Sequence, residues 1–197
     1  MLLLSVFVIT GFFIIGFNYE NSSVEAQRVF HTYENEIYGI EIKYPANWEI
    51  IEDYSATYET GAYLFELHPL GENKPVIHLK VHFLSPENAT LQSFTEQQLK
   101  NIQALPSWSK KTTKNIVSQN SSVTLGGYPA HKVVYETITS YSTGKPVIEI
   151  RKAMSIWTVL ETEAYLFDFF GTEEGREQYD QYIKTAEEII NSFQFTR

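Results

Sequence analysis

Residues 38–48 read YGIEIKYPANW, and this stretch sets the way into the fold. Ile40, Ile42 and Tyr44 alternate with Glu41 and Lys43, the period of two expected of a half-buried strand. Pro45 removes a ladder donor and fixes φ, and Asn47 favours a turn, so the strand ends there. Trp48 opens a second apolar run through Ile50 and Ile51, which can fold back on the first. Nothing in the stretch is reactive. Its residues read as structural: Gly39 for backbone geometry, Pro45 for the turn and Trp48 for the core.

Working outward, 197 residues with 43% hydrophobic content suffice for one domain with a full core. The formal charge of -9 argues against general affinity for nucleic acid or anionic membrane surfaces. Thirteen Tyr, thirteen Phe and three Trp suit large sheets, tight cores and ligand-binding faces alike. The chain has no Cys, which excludes disulfides, thiolate catalysis and Cys-based zinc or iron–sulfur sites.

Residues 2–17 (LLLSVFVITGFFIIGF) form an uncharged tract, long for the apolar region of a signal peptide and short for a membrane span of about 20 residues. Val24-Glu25-Ala26 offers a small-x-small cleavage site before Gln27. Residues 1–26 are therefore read as a signal peptide or N-terminal membrane anchor, and residues 27–197 as a single domain outside the cytoplasmic membrane, secreted or anchored to its outer face. Losing 1–26 removes Glu20 and Glu25 and no base, so the mature chain stays acidic. Asn21, Asn88 and Asn120 each head an Asn-x-Ser/Thr sequon open to glycosylation in a host that modifies exported chains.

The mature chain begins with strands at Val29–Tyr33, Gly39–Tyr44, Trp48–Glu52, Ala62–His68 and Val76–Phe83, the last two joined by the turn-rich residues 69–75. In Thr90–Ala104, Leu91, Phe94, Gln98, Ile102 and Leu105 follow helical spacing; Asn88 or Thr90 can cap the first turn and Pro106 stops it. Strands at Asn115–Leu125 and Tyr128–Ile138 flank the tight-turn pair Gly126-Gly127, and Val147–Leu160 follows another turn. Ala164–Phe170 (AYLFDFF) is apolar on both faces apart from Asp168, so it is expected at the centre of the sheet with helices above and below. Glu174–Asn191 places Tyr179, Tyr182, Ile183, Ala186, Ile189 and Ile190 on one helical stripe. The fold class expected is α+β: an α/β/α sandwich with a central, mainly antiparallel sheet flanked by helices.

YGIEIKYPANW at 38–48 resembles the opening motif of PsbP-like domains, and so do VTLGGYPAHKVVYE at 123–136 and the aromatic strand that leads into the last helix and NSFQF at 191–195. The resemblance spans roughly residues 30–195. It implies the same sandwich and no general catalytic activity; the family's named member is an extrinsic photosystem II subunit that helps retain calcium and chloride. This N-terminus is of export type, not a plastid transit peptide, and no basic docking arm follows it. The resemblance therefore implies a non-photosynthetic relative, an exported non-catalytic binding or accessory module whose partner is a protein or membrane complex.

Motifs that carry chemistry are scarce. There is no G-x-S-x-G elbow, HExxH or EF-hand pattern, and Gly144-Lys145 lacks the flanking residues of a phosphate loop. Glu161 and Glu163 share a strand face by spacing but sit at a turn and read as solvated. In residues 76–83 (VIHLKVHF), alternation puts His78, Lys80 and His82 on one face, with Glu66 or His68 opposite His78 across the hairpin. Imidazoles beside a carboxylate suit zinc or copper. Lys80 between them opposes a cation, and four residues of strand separate His78 and His82 by about 13 Å. A polar sheet face is the better reading, and neither a cofactor nor a catalytic residue is assigned. His31 and His131 have no evident partners, and Tyr54, Tyr58 and Tyr63 either line a groove or, as burial of aromatics favours, cover the sheet. The competing readings are a hydrolase or metal-dependent enzyme with a site assembled from distant residues, and a metal-retention protein. N-terminal sequencing of the mature protein is expected to begin at Gln27; an intact Met1 would instead identify a retained anchor.

Overall fold

Alternating burial runs along the strands as the sequence pattern requires. In the computed structural model, which describes residues 28–52, 57–58, 61–71, 74–104, 112–141, 147–171 and 176–197, every strand pairing is antiparallel. The export tract, its cleavage motif, Asn21 and Tyr54 lie outside these residues. A three-stranded sheet joins β1 (Phe30–Asn35), β2 (Ile40–Pro45) and the two-residue β11 (Gln194–Phe195) in the order β1-β2-β11.

A larger sheet holds β3 (Trp48–Glu52), β4 (Thr57–Tyr58), β5 (Gly61–Pro69), β6 (Val76–Phe83), β7 (Thr112–Leu125), β8 (Tyr128–Tyr141), β9 (Val147–Leu160) and β10 (Glu163–Phe170). Its order is β3-β5-β6-β10-β9-β8-β7, with β4 paired to β5. The Trp48 strand does not take the return onto Gly39–Tyr44 that its sequence allows. β2 pairs with β1 and β11, whereas β3 pairs with β5, so the chain changes sheets across Ala46-Asn47. The turn makes this crossing because Pro45 cannot extend the first ladder, while Ala46 N–H donates to Val29 O and Leu70 N–H to Asn47 O, tying each side of the turn to a different sheet.

β10 occupies the centre of the large sheet. Tyr165, Phe167 and Phe169 on one face join a core that includes Ile40, Ile42, Phe65, Ile77 and, from helix α2 (Arg176–Asn191), Tyr179, Ala186, Ile189 and Ile190. Ala164 and Leu166 on the other face join Phe94 and Ile102 of helix α1 (Leu91–Gln103), with Trp157 and Val133 from the neighbouring strands. α1 begins at Thr90, whose side-chain oxygen accepts from Ser93 N–H at 3.1 Å, which decides between the two expected caps.

The last residues strap the two sheets together. Phe193 and Phe195 lie 4.9 Å apart by ring centroid, and Phe195 packs edge-on against Tyr165 at 4.9 Å and Tyr128 at 5.3 Å. The β7–β8 turn makes room for this strap. At Gly126, φ is +58°, and a Cβ would stand 2.7 Å from Phe195 Cδ2. Gly127 has φ +85° but open space around it. Gly127→Ala should cost about 1–2 kcal/mol, the penalty of the left-handed backbone alone, and Gly126→Ala should cost roughly 1 kcal/mol more as Phe195 is displaced. Urea denaturation measures both; equal losses would show that Phe195 does not pack on the turn.

Candidate functional site

The alternation in β6 sends His78, Lys80 and His82 to the α1 side of the large sheet and Ile77, Leu79 and Val81 into the opposite core. Register places Asp168 of β10 beside His78 on one flank and Ser155 of β9 on the other. Asp168 is 7% exposed, and both its oxygens are used: Lys80 Nζ donates to Oδ2 at 2.9 Å and Ser155 Oγ to Oδ1 at 2.5 Å. A charge so enclosed is tolerable because it is paired and hydrogen-bonded. The aliphatic stem of Lys80 also brings its ammonium within 5.6 Å of the Tyr63 ring.

The histidines occupy separate niches. His78 Nε2 lies 3.5 Å from Glu66 Oε2, the register partner that the hairpin supplies, with Tyr63 and Phe170 edge-on at 5.1 and 5.5 Å. His68 lies 3.6 Å from Glu49 Oε1 instead. His82 rests on the Phe94 ring at 5.4 Å, and its Nε2 is buried without a hydrogen-bond partner among the described residues. The face thus brings Glu66 to His78 and keeps His68 and His82 apart from them. Among the described residues no group of three or more His, Asp or Glu is placed to hold a metal ion.

Burial, and after it the Lys80 ammonium, pushes the His78 imidazole down to about 4, against the opposing pull of Asp168. His82 is lowered by the same causes in the same order. Glu66 does not restore the charge on His78, because its carboxylate is more than a third exposed and screened by water. Burial, with the nearby Asp168 carboxylate second, raises the Tyr135 phenol above its ordinary range. At neutral pH the centre of this face therefore consists of one ion pair among neutral imidazoles and a phenol.

Other residues singled out in the sequence are engaged differently from expectation. Glu163 is not a solvated member of an acid pair: Tyr165 Oη donates to it at 2.7 Å and the Arg197 guanidinium pairs with it, while Glu161 sits in the turn at φ +56°. Both lone histidines have partners. His31 packs on Tyr44 at 5.7 Å, and His131 stacks on Trp157 at 5.2 Å with its Nδ1 3.0 Å from Ser121 Oγ. Asn88 is exposed and donates to Ser85 Oγ, and Asn120 is exposed and accepts from Ser122 N–H at 2.8 Å. Tyr63 is half-buried on the sheet, and the side chain of Tyr58 lies outside the described residues.

A second concave surface surrounds the sheet-switching turn. Pro45, Ala46 and Trp48 line about 370 Å³ of space with Val29 and, from α2, Tyr182 and Thr185. Trp48 is 4% exposed and meets Tyr182 edge-on at 6.2 Å, so it forms the floor. Val29 (66% exposed) and Leu70 (56%) stand at its margins, each tied by its backbone to the turn.

No protein-family model matches the sequence, and no curated protein matches it. Solved structures do match. Cyanobacterial PsbP from Synechocystis sp. PCC 6803 is 13% identical with a TM-score of 0.60, over 88% of this chain and 95% of that one. The Ran-binding protein Mog1p of Saccharomyces cerevisiae is 9% identical with a TM-score of 0.50, over 86% of this chain and 96% of that one. LpqN of Mycobacterium tuberculosis, involved in cell envelope biogenesis, is 16% identical with a TM-score of 0.47, over 87% and 92%. The fold of this chain is PsbP-like and of the α+β class.

The lowered His78 gives this face a pH signature. The unfolded chain takes up a proton near pH 6.5 and the folded chain only near 4, so the contribution of neutral His78 to stability is complete above 6.5 and is lost as pH falls toward 4. At about 1.4 kcal/mol per pKa unit, this loss amounts to about 3 kcal/mol. His78→Gln should flatten the stability profile between pH 6.5 and 4.5 in urea titrations. A variant slope as steep as wild type would show that His78 is not held neutral.

Proposed function

We propose that the chain is an exported or membrane-anchored, non-catalytic binding module, an α/β/α sandwich of PsbP-like type that engages a protein partner or a membrane complex. The observation that carries this reading is the surface at the sheet-switching turn, where Val29 in its lining and Leu70, hydrogen-bonded to the same turn, stay exposed beside an aromatic floor. Exposed Val29 and Leu70 beside a floor of Trp48 and Tyr182, with Arg28 and Asn47 in the polar part of the lining, give the mixed composition of a protein interface. Two structural neighbours with TM-scores of 0.50 or more support a module reading at the level of fold, one a PsbP and the other a Ran-binding protein.

The absence of catalysis is part of the proposal and has its own support. Ser155, the hydroxyl beside the polar face, donates to Asp168 and does not face an accepting imidazole, and Asp168 is already occupied by Lys80. That arrangement gives neither an activated nucleophile nor a free base. Export rests on the uncharged tract at residues 2–17. Among the described residues no helix is long and apolar enough to cross a membrane, so membrane attachment falls to that tract.

Affinity capture from native membranes tests the proposal. The wild-type chain should retain an abundant partner, and Val29→Glu/Leu70→Glu should lose at least about tenfold of it, because two charges are forced into an apolar contact. His78→Ala, on the other face of the sheet, should retain it. Equal capture by the double variant would overturn the assignment of this surface, and no partner at all would overturn the module reading.

A further inference from the structure

The apolar stripe of α1 contains one polar residue. Phe94, Gln98 and Ile102 recur at helical spacing and all are buried, Gln98 with only 9% of its surface exposed. Its amide has no hydrogen-bond partner among the described residues, an arrangement that costs stability unless something else supplies the bonds. A leucine at this position would continue the stripe without that cost.

Gln98 lines a cavity of about 230 Å³ between α1 and the sheet. The same space is lined by His82, whose buried Nε2 lacks a partner among the described residues, by Asn101 from the next turn of α1, and by Lys114 of β7. Trp157, Ile102 and Leu166 form its apolar walls. An uncharged amide from a helix and an imidazole from a strand, the latter with a buried nitrogen left unsatisfied, thus line one opening.

Charge decides what could fill it. Lys80 and Asp168, which also line the cavity, neutralise one another, and Arg151, which flanks Lys114 across Thr137, pairs with Glu149. Lys114 makes no ion pair among the described residues, but it lies close to the last turn of α1, whose outward carbonyls carry partial negative charge. Glu96 and Lys100 of α1 are exposed and point away. One ammonium, that of Lys114, therefore remains in the lining, offset in part by the helix end, and the rest of the lining is neutral or paired. Amides and a neutral imidazole each donate and accept, which is the complement of hydroxyl groups. The volume lies below the 300 Å³ or so at which pockets for drug-sized ligands begin.

We propose that this cavity binds a neutral polyhydroxylated small molecule of monosaccharide size, with Gln98, Asn101 and Lys114 hydrogen-bonding its hydroxyls and His82 closing the far end. Trp157 serves as a wall whose orientation is fixed from both sides, by its Nε1 donating to Thr95 Oγ1 at 2.9 Å and by the His131 ring stacked on it.

The full-length chain, isotopically labelled and purified in detergent, is titrated with glucose, galactose, mannose and myo-inositol, and separately with citrate and acetate, while NMR follows the His82 ring and the Gln98 and Asn101 amides. At least one polyol should shift these resonances saturably with a Kd below about 50 mM. Gln98→Leu should weaken that binding about tenfold while raising the thermal midpoint, and Asn101→Ala, an exposed change, should weaken it several-fold with no effect on folding. Failure of every polyol to saturate would mean that the cavity holds only water. Tighter binding of citrate than of any polyol, or unchanged binding in both variants, would equally overturn the proposal.

Discussion

The fold depends on one constraint, a strand buried on both faces that carries a charge. β10 contributes Tyr165, Phe167 and Phe169 to one core and Ala164 and Leu166 to the other, so both sides of the sheet must be covered. Asp168 sits in the middle of this strand, and leaving such a carboxylate unpaired would cost on the order of 3–5 kcal/mol. Lys80 and Ser155 meet it from the strands on either side, β6 and β9. A register slip of one residue in either ladder would turn a partner to the opposite face and strand the charge. The polar triplet thus selects one alignment of the three central strands, where apolar alternation alone would also admit slips of two.

A second constraint is topological. The chain makes two sheets from neighbouring strands, and the change at Ala46-Asn47 would leave the small sheet hinged to the large one at a single turn. The C-terminal residues remove that freedom. Gln194 and Phe195 add to β2, Thr196 N–H donates to Gly39 O, and Phe193, Phe195 and Tyr165 stack across the seam. Arg197 then reaches Glu163 and the Tyr165 hydroxyl from the end of the chain. The far end of the sequence therefore closes the joint that residues 38–48 open.

Strand positions were legible because the period of two is local, as were the hairpin partners β5–β6 and β7–β8 that their turns mark, whereas partners without a connecting turn were not, because that pairing is a long-range choice. Ile50 and Ile51 announce a strand but carry no mark of whether β2 or β5 will receive it. β11 has two residues, too few to show any period, so NSFQF could be placed only by resemblance. Glu163 read as solvated because its partner Arg197 lies 34 residues away in sequence and Tyr165 was assigned wholly to the core. On the polar face, the alternation of His78, Lys80 and His82 was readable, and the partner of His78 was narrowed to Glu66 or His68, between which the β5–β6 register decides. Asp168 was visible as an anomaly in AYLFDFF, yet its pairing with Lys80 needed the β6–β10 register. Gln98 was the subtler signal: it fell at a stripe position, and the fit to helical spacing concealed the question of why a buried position should be polar.

The two concave surfaces lie on opposite sides of the large sheet and are built from different physics. Around Pro45–Trp48 the floor is aromatic and exposed Val29 and Leu70 stand beside Arg28 and Asn47, so association there would combine burial of apolar area with polar contacts at the edge. Under α1 the opening is smaller, its walls include amide groups and an imidazole with an unsatisfied nitrogen, and selectivity would come from hydrogen bonds to them. β10, which belongs to both cores, is the rigid element between them. Nothing in its packing offers a second arrangement: its ladders run unbroken on both sides, and Asp168 holds them in register. Occupancy of one surface is therefore expected to leave the other unchanged, because energetic coupling requires an element with two states and the shared strand has one.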